Sequence, residues 1–460
     1  MPFSIKTRFA PSPTGVMHLG NVRTALFNWL FTQSQSGTFL LRIEDTDLER
    51  SKQEYTDGIL RDLKWLGLTW QEGPEAGGKN GPYFQSARQK IYDQYYDHLL
   101  EQNLAYPCFC SEEQLIRSRN LQRAAGKPPR YTGTCRHLTK EQIEEKIKQG
   151  LKPVLRFKIP EGETEFDDLV RGVQKFQNND IGDFIIRRAN GSSPFMFCSC
   201  IDDALMGVTH ILRGEDHLTN TPRQIMILQA LKLFVPHYGH ITLIVGHDGS
   251  PLSKRHGSLS IHDLREQGYL AEAIINYLAR LGHHYENDAL MSSAELAENF
   301  KLENLNKSPA RFDMQQLNYW QKEAVHSLTI NDAEIWLSDV LKKFVPENRK
   351  ELFLNTVLPN IRFPLEAMHW AEIIFTDKLF SLKDDDQKKI SLQFLEMLKN
   401  NLTQDYQTLI QTLKTQLNLK GKDLFEPLRL VFTGEEHGPE LKQILELMPN
   451  DIKRKRIENQ

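Results

Sequence analysis

Several features that would set this chain apart are scarce or missing. Five cysteines occur in 460 residues, the formal net charge is −3, and no apolar run is long enough to span a bilayer. The first residues do not combine a basic stretch, an apolar run and a small-residue cleavage site, so no secretory leader is expected. A charge this close to balance excludes the general basic excess of a protein that coats nucleic acid, so RNA contacts must come from local patches. We therefore expect a cytoplasmic protein with no membrane partner.

The overall composition is that of an ordinary soluble protein. Apolar residues make up 40% of the chain and charged residues 25%. A chain of 460 residues is too long for a single hydrophobic core, and its length predicts about three or four structural units.

Two short segments far apart in the chain together predict a nucleotide site. Residues 11–21 (PSPTGVMHLGN) follow an apolar run and precede a helical pattern, so they predict a strand, a tight turn and a helix start. Gly15 and Gly20 let the backbone approach a ligand, and free N–H groups at the helix start favour phosphate. Residues 252–257 (LSKRHG) place Lys254 in a loop from which it can reach phosphates. A common turn and a solvated lysine are the alternatives for each segment taken alone.

Taken together, the two segments resemble the HIGH and KMSKS motifs of class I aminoacyl-tRNA synthetases, here residues 18–21 (HLGN) and 252–256 (LSKRH). The stretches that look like bacterial glutamyl-tRNA synthetases are residues 7–15 (TRFAPSPTG), 41–47 (LRIEDTD), 213–217 (RGEDH) and 252–257. This resemblance covers essentially the whole chain and is strong up to about Gly282. It implies ATP-dependent attachment of L-glutamate to the 3′ end of tRNA(Glu), in two steps through glutamyl-adenylate.

The resemblance also implies roles for individual residues. The catalytic residues would be His18, Gly20 and Lys254, which stabilise charge on the triphosphate from two sides. The implied ATP-binding residues are Gly15, His18, Gly20, Asn21, Ser253, Lys254 and Arg255. The implied glutamate-binding residues are Arg8, Ser12, Glu44, Phe195, Ser199 and Arg213. Mg2+ would accompany the ATP.

An acidic substrate requires a fork of donors that matches a carboxylate, and arginine supplies such a fork better than lysine. By resemblance, Arg8 and Arg213 contact the side-chain carboxylate of glutamate, while Glu44 and Ser12 hold its amino group and neighbouring atoms. A surface position for Arg8 and a capping role for Glu44 are the structural alternatives. The chain departs from the family at two positions, with Phe195 where a tyrosine is usual and Ser199 where an asparagine is frequent.

Cysteine and histidine predict a metal site. Cys108, Cys110, Cys135 and His137 supply three thiols and an imidazole, and a closed site of this kind suits structural Zn2+. Unligated thiols are the alternative, because the spacing is C-x-C and C-x-H. The resemblance favours zinc, since some bacterial glutamyl enzymes hold zinc at matching positions. The other two cysteines lie in an apolar stretch at 195–201, where strand alternation predicts that both pack on one face.

The order of these patterns predicts the organisation of the chain. We expect an α/β Rossmann-like catalytic domain interrupted by an α+β connective domain, followed by all-α stem-contact and anticodon-binding domains. The predicted bounds are 1–104 and 189–250 for the catalytic halves, 105–188 for the insertion, 251–325 for the stem-contact domain and 326–460 for the anticodon-binding domain.

Three further stretches carry weaker expectations. Residues 107–160 contain 12 lysines and arginines against 5 acidic residues, a balance of 12 − 5 = +7, which predicts either an RNA contact or a solvated basic surface. Residues 421–434 resemble a loop-and-strand segment near the end of the glutamyl family. The basic run 453–456 is expected to be a solvated tail.

Two other functions remain open at this stage. A relative that attaches glutamate to tRNA(Gln) would differ only in its anticodon contacts, which the sequence does not locate. A non-catalytic RNA-binding protein built on the same fold is a third interpretation, but intact His18, Lys254 and both arginines argue against it. The expected partners are L-glutamate and tRNA(Glu) or tRNA(Gln), and the expected oligomeric state is a monomer.

Overall fold

The computed structural model describes residues 4–47, 49–250, 252, 260–378, 380, 389–402 and 404–459. The chain forms two compact units. The first comprises residues 1–263 and 275–313, and the second comprises residues 264–274 and 314–460. No helix among the described residues is both long enough and apolar enough to cross a membrane.

The strands are β1 (Lys6–Phe9), β2 (Thr38–Leu41), β3 (Ala105–Cys108), β4 (Val154–Phe157), β5 (Glu163–Asp168), β6 (Gly172–Gln177), β7 (Phe184–Arg187), β8 (His210–Gly214), β9 (His237–Ile241), β10 (Ile244–Val245) and β11 (Ala310–Arg311). The helices before residue 314 are α1 (Leu19–Ser34), α2 (Gln53–Trp65), α3 (Gln89–Glu101), α4 (Glu112–Ala124), α5 (Lys140–Lys148), α6 (Asn178–Ile181), α7 (Phe195–Leu205), α8 (Thr221–Ala230), α9 (Ile261–Glu266), α10 (Ala271–Arg280) and α11 (Ser293–Glu298).

The helices that follow are α12 (Met314–His326), α13 (Ile330–Trp336), α14 (Ser338–Phe344), α15 (Lys350–Val357), α16 (Pro364–Phe375), α17 (Leu392–Asn401), α18 (Tyr406–Leu417), α19 (Lys422–Thr433), α20 (Leu441–Leu447) and α21 (Asn450–Glu458). Short 3-10 turns are formed by residues 85–88, 215–220, 302–304, 347–349 and 358–360.

A parallel β1–α1–β2 unit forms the centre of the first unit. β1 pairs with β2 in parallel, with Lys6 opposite Thr38, and the backbone N–H of Thr209, just before β8, donates to the Lys6 carbonyl at 2.8 Å. The fully buried Asn28 of α1 donates to the Leu212 carbonyl and accepts from the Leu212 N–H. The helix α1 is the crossover that two parallel strands require. The arrangement places the carboxyl ends of β1, β2 and β8 at the same edge of the first unit's sheets.

Three further sheets complete the first unit, and in the smallest of them β10 pairs in parallel with β11. A four-stranded sheet has the order β6-β5-β9-β8, in which β9 runs parallel to both β8 and β5. A three-stranded antiparallel sheet has the order β3-β4-β7 and is formed by residues of the predicted insertion. Every regular element described in the second unit is a helix, and its core consists mainly of leucine, isoleucine, valine and phenylalanine. The predicted fold class is confirmed, whereas the finer domain bounds stay predictions.

The segment 195–201, predicted as a strand, is a helix. Its residues belong to α7, which begins after Pro194 and continues to Leu205. An almost continuously apolar run does not separate strand from buried helix by its period alone. The prediction that Cys198 and Cys200 share one strand face is therefore wrong, although both thiols are fully buried as packing residues.

Two expectations about the last residues are also wrong. Residues 422–433 form α19, a helix with a Pro427 inside it, and not a loop and strand. The basic run 453–456 lies in α21, where Arg456 is buried and donates to the carbonyl of Ile373 at 3.2 Å. One face of this short helix packs on the core, so the run is not a solvated tail.

Candidate active site

A cavity of about 800 Å³ opens at the carboxyl ends of the parallel strands in the first unit. This is the edge at which open α/β sheets bind ligands. The predicted site residues that line it are Arg8, Ser12, Gly15, His18, Gly20, Asn21, Glu44, Phe195 and Arg213. Residues that sequence reasoning placed in a phosphate turn and in an amino-acid pocket thus share one cavity.

The turn that contains His18 leads directly into α1. His18 is the N-cap residue, with extended backbone angles, and its N–H donates to Asn21 Oδ1 at 3.4 Å. A Cβ placed on Gly15 or on Gly20 would meet no heavy atom of the described chain within 4 Å. Both glycines therefore leave open space beside the backbone, and the first turn of α1 carries no acidic residue that would repel an anion.

The described residues on either side of Lys254 lie close to this turn. Leu252 lines the cavity, and Ser260 forms a backbone bridge with His18. The N–H of Ile261 donates to the Met17 carbonyl at 3.1 Å. Ser253, Lys254 and Arg255 lie outside the described residues, so their predicted roles stay predictions.

A buried charge network supports the amino-acid side of the cavity. Arg8 donates to both carboxylate oxygens of Asp203, at 3.2 and 3.4 Å. Arg42 is fully buried and reaches Asp203 at 2.8 Å and Glu44 at 2.9 Å. Burial raises the pKa of Glu44, an effect that Arg42 opposes. Asp203 is also desolvated, but Arg42 and Arg8 keep its pKa below the ordinary range.

Arg213 has a different environment from Arg8. It is buried, and its Nη2 donates to Thr221 Oγ1 at 2.8 Å while its Nε donates to His240 Nε2 at 3.2 Å. Within the described chain, its Nη1 has no hydrogen-bond partner. Burial lowers the pKa of Arg213 to about 10, which still leaves the guanidinium charged at neutral pH. A substrate carboxylate would supply the missing acceptor.

Ser199 is the one predicted glutamate-binding residue that does not line the cavity. It is fully buried, and its Oγ accepts from Arg42 Nη2 at 3.2 Å. Phe195, one helical turn earlier in α7, does line the cavity, and its ring lies 5.1 Å from the ring of His217. Because α7 is a helix, residues 195 and 199 lie on the same face at different depths.

Sequence reasoning missed several residues of this site. Arg42 and Asp203 link Arg8 to Glu44 through a series of buried ion pairs. In the sequence, Arg42 was visible as an arginine at the end of a strand, and Asp203 as one of two adjacent aspartates in an apolar run. Asp216 and His217 line the cavity, within the motif already noted at 213–217. Burial lowers the pKa of His217 to about 4, so its imidazole is neutral near pH 7.

The cysteines of the insertion form a separate cluster. Cys108, Cys110 and Cys135 place their sulfur atoms within 4.8 Å of one another. The Tyr131 hydroxyl lies 3.3 Å from Cys108 Sγ and 3.5 Å from Cys110 Sγ. His137 is exposed and is not part of this group, because residues 134–137 form a turn that does not align side chains two positions apart.

These donors fit the chemistry of a zinc site. A Zn–S bond of about 2.3 Å in a tetrahedron requires sulfur atoms about 3.8 Å apart. The Cys110 and Cys135 sulfurs are 3.6 Å apart. Three thiols and one phenol oxygen would make four donors, with no open position for catalysis.

Family models match both parts of the chain. Residues 4–319 match the catalytic domain of class I tRNA synthetases (E and Q), and residues 334–460 match an anticodon-binding domain. The chain belongs to the class I tRNA synthetases of the glutamate and glutamine group. Residues 18–21 (HLGN) and 252–256 (LSKRH) both lie within the catalytic-domain match.

Individual relatives agree with the family models. Glutamate–tRNA ligase 1 of Coxiella burnetii (strain CbuG_Q212) is 56% identical over 99% of both chains. Glutamate–tRNA ligase 2 of Nitrosococcus oceani is 52% identical over 99% of this chain and 98% of its own. Among solved structures, a glutamate tRNA ligase from Elizabethkingia meningosepticum, crystallised in complex with its amino acid, superposes with a TM-score of 0.91 at 27% identity and 99% coverage of both chains.

Proposed function

We infer that this synthetase attaches L-glutamate to the 3′ end of tRNA(Glu), using ATP, through a glutamyl-adenylate intermediate. The inference depends on the cavity that Gly15, His18 and Gly20, at and before the start of α1, share with two buried arginines, Arg8 and Arg213. The helix start suits phosphate, and the arginines suit a carboxylate. The similarity to named glutamate–tRNA ligases supports the same substrate.

The proposed activation step requires positioning and charge stabilisation. The α-carboxylate of glutamate attacks the α-phosphate of ATP and pyrophosphate leaves, so two anions must be brought together in line. His18 and the turn around Gly20 bind the phosphates from one side, and Lys254 closes from the other. Mg2+ accompanies ATP and neutralises part of the phosphate charge. Ser253 and Arg255 flank the lysine, and Asn21 fixes the turn by accepting from the His18 N–H.

The amino-acid pocket works by charge complementarity. Arg213 and Arg8 take the side-chain carboxylate, while Glu44 and Ser12 take the amino group and its neighbouring atoms. The transfer of glutamate to tRNA then needs no protein nucleophile, because the tRNA 3′-terminal hydroxyl attacks the glutamyl-adenylate and AMP leaves. Such a reaction belongs in the cytoplasm with translation, and a monomer is sufficient for it.

Paired charging assays test this function. Purified tRNA(Glu) and tRNA(Gln) are each incubated with ATP, labelled glutamate and the full-length protein. We expect efficient charging of tRNA(Glu). Charging of both tRNAs, or mainly of tRNA(Gln), would replace the proposal with the misacylating alternative, and charging of neither would favour a non-catalytic RNA-binding protein.

Replacing Phe195 with tyrosine tests the effect of the missing phenol in the pocket. Phe195 lines the cavity and its ring lies beside that of His217, so Phe195→Tyr adds a donor to the cavity. One added hydrogen bond of about 1 kcal/mol predicts a glutamate KM about five times lower. The measurement is tRNA-dependent ATP–pyrophosphate exchange, with ATP KM as the internal control. An unchanged glutamate KM would mean that water or a neighbouring side chain already satisfies the substrate.

We propose that Cys108, Cys110, Cys135 and the Tyr131 hydroxyl hold a structural zinc ion. The backbone N–H of Cys135 donates to the same hydroxyl at 2.9 Å, which fixes the phenol oxygen between the thiols. When bound, zinc would cross-link β3 to the turn at 134–137 and stabilise a part of the insertion that has few other buried contacts. The insertion also carries the basic stretch 107–160, for which the sequence predicts either an RNA contact or a solvated surface.

The ligand set is tested by zinc content. Protein purified without chelators is expected to contain about one equivalent of zinc, and Cys135→Ser less than about a tenth. Tyr131→Phe should also lose zinc, while His137→Ala retains it. Loss of zinc in His137→Ala together with its retention in Tyr131→Phe would favour the set of three cysteines and His137 predicted from the sequence. Less than about a tenth of an equivalent in the unmodified protein would exclude a zinc site.

A further inference from the structure

A chain of buried hydrogen bonds extends from the insertion to Arg213. Asp168, the last residue of β5, contacts His240 of β9, with Oδ2 and Nδ1 2.5 Å apart. On the opposite side of the ring, His240 Nε2 lies 3.2 Å from Arg213 Nε and 2.9 Å from Thr221 Oγ1. Asp168, His240 and Arg213 are each less than 5% exposed. None of these contacts passes through the cavity itself.

The contacts determine the protonation of His240. Arg213 Nε can only donate, so His240 Nε2 must accept, and the ring proton must be on Nδ1, facing the Asp168 carboxylate. A neutral ring is also favoured by its surroundings, because burial lowers the pKa of His240 and the Arg213 charge lowers it further, although Asp168 opposes both. His240 is therefore a neutral acceptor oriented by a carboxylate.

This arrangement differs from the one around Arg8. Arg8 is paired directly with Asp203, which neutralises much of its charge. No carboxylate of a described residue forms an ion pair with Arg213. Asp168 influences Arg213 only through His240, which contacts both residues. A neutral acceptor fixes the direction of the guanidinium while leaving its charge available to a ligand. The Nη1 that lacks a protein partner belongs to this same guanidinium.

We propose that Asp168 and His240 are positioning residues that orient Arg213 for the side-chain carboxylate of the substrate. The proposal rests on the function inferred above. It also gives the insertion a second role, because β5 lies within residues 105–188 and joins the catalytic sheet through the pairing of Asp168 with Tyr238. Selection of the amino acid then depends on a segment that the sequence did not associate with the amino-acid pocket.

Asp168→Asn tests the proposal directly, because the surrounding hydrogen bonds determine which way the new amide group is oriented. Oδ1 of Asp168 accepts from the backbone N–H groups of Val170, Arg171 and His240, at 3.0, 2.9 and 3.2 Å. The asparagine oxygen has to keep those three bonds, so its NH2 group faces His240 Nδ1. The ring then moves its proton to Nε2, where an N–H would face the Nε–H of Arg213.

The measurement is tRNA-dependent ATP–pyrophosphate exchange with the full-length protein. Asp168→Asn should raise the glutamate KM about tenfold, corresponding to the loss of one charge-assisted bond, while the ATP KM changes less than about twofold. His240→Leu should behave like Asp168→Asn. His240→Gln keeps an acceptor for Arg213, so a glutamate KM closer to the unmodified value is expected.

Asp183→Asn is the matched control. Asp183 is buried and accepts from Tyr106, Arg136 and the Ile159 N–H, but it does not line the cavity. It should lower thermal stability without raising the glutamate KM. An unchanged glutamate KM in both Asp168→Asn and His240→Leu, or equal rises for glutamate and ATP, would overturn the positioning role. If the unmodified protein activates no glutamate, the proposed function fails instead.

Discussion

Arg213→Met should reduce kcat/KM for glutamate by roughly 30- to 5000-fold, the range that corresponds to about 2–5 kcal/mol for a buried charge pair. Arg213 is buried, carries a free Nη1 and is not neutralised by an ion pair with any described carboxylate. The methionine has a similar length and no charge, so it removes the attraction with little change in packing. The loss is expected in tRNA-dependent ATP–pyrophosphate exchange.

A comparison of the glutamate and ATP constants of Arg213→Met identifies the cause of the lost activity. The ATP KM should stay within about twofold, because the proposed phosphate site is formed by the turn of His18 and Gly20 and does not include Arg213. Arg456→Met is the control, since Arg456 is also buried but belongs to the second unit and donates to backbone carbonyls. Arg213→Met with less than a threefold loss would mean that Arg8 alone selects the carboxylate.

Arg42→Met should destabilise the first unit by about 3–5 kcal/mol, because it leaves buried carboxylates without their central cation. Arg42 is fully buried and lies within ion-pair distance of Asp203, Glu44 and Asp202. A loss of this size corresponds to a fall on the order of 10 °C in the unfolding temperature of this unit. Scanning calorimetry or circular dichroism measures it.

The loss should depend on pH, with a definite sign. In the unmodified protein, the pKa of Asp203 is held below its ordinary value, so its contribution is present above about pH 4 and is lost on acidification. Without Arg42, burial dominates and raises the pKa of the remaining carboxyls, so they take up protons as the pH falls. The destabilisation should therefore be largest near pH 7.5 and smaller near pH 5.

An exposed ion pair provides the control for Arg42. Arg50 pairs with Asp47 at the surface, with side chains 74% and 39% exposed. Exposed pairs contribute about 0–1 kcal/mol, so Arg50→Met should leave the unfolding temperature nearly unchanged. Equal effects of the two substitutions, or a loss in Arg42→Met that does not change with pH, would contradict the view of Arg42 as the centre of a buried network.

The sequence was sufficient for the features that depend on local chemistry. An apolar run, a Pro/Gly segment and a helical period follow one another in the sequence, and this order predicts the turn before α1. Gly15, His18 and Gly20 of that segment all line the cavity. Arg8 and Arg213 were identified through the resemblance to the glutamyl family, and both lie near the carboxyl ends of their strands, β1 and β8, and line the cavity. The all-helical second unit follows from spacing with a period near 3.6 residues.

The features that were missed depend on contacts between distant residues. Asp168 and His240 are 72 positions apart, and neither belongs to a recognisable motif. Arg42 and Asp203 were visible as charged residues, but they are 161 positions apart in the chain and only the fold brings them together. Ser199 was placed in the pocket by the resemblance, whereas in the fold it is buried in α7 and its Oγ accepts from Arg42.

The central claim is that buried arginines in this cavity select an acidic side chain, and competition between glutamate and glutamine tests it most directly. The two amino acids have nearly the same shape and differ in side-chain charge. In tRNA-dependent ATP–pyrophosphate exchange, we predict a kcat/KM for glutamate about a thousandfold or more above that for glutamine, because a site built for a carboxylate leaves its cations unpaired with an amide. Similar values for the two, or a preference for glutamine, would contradict the account.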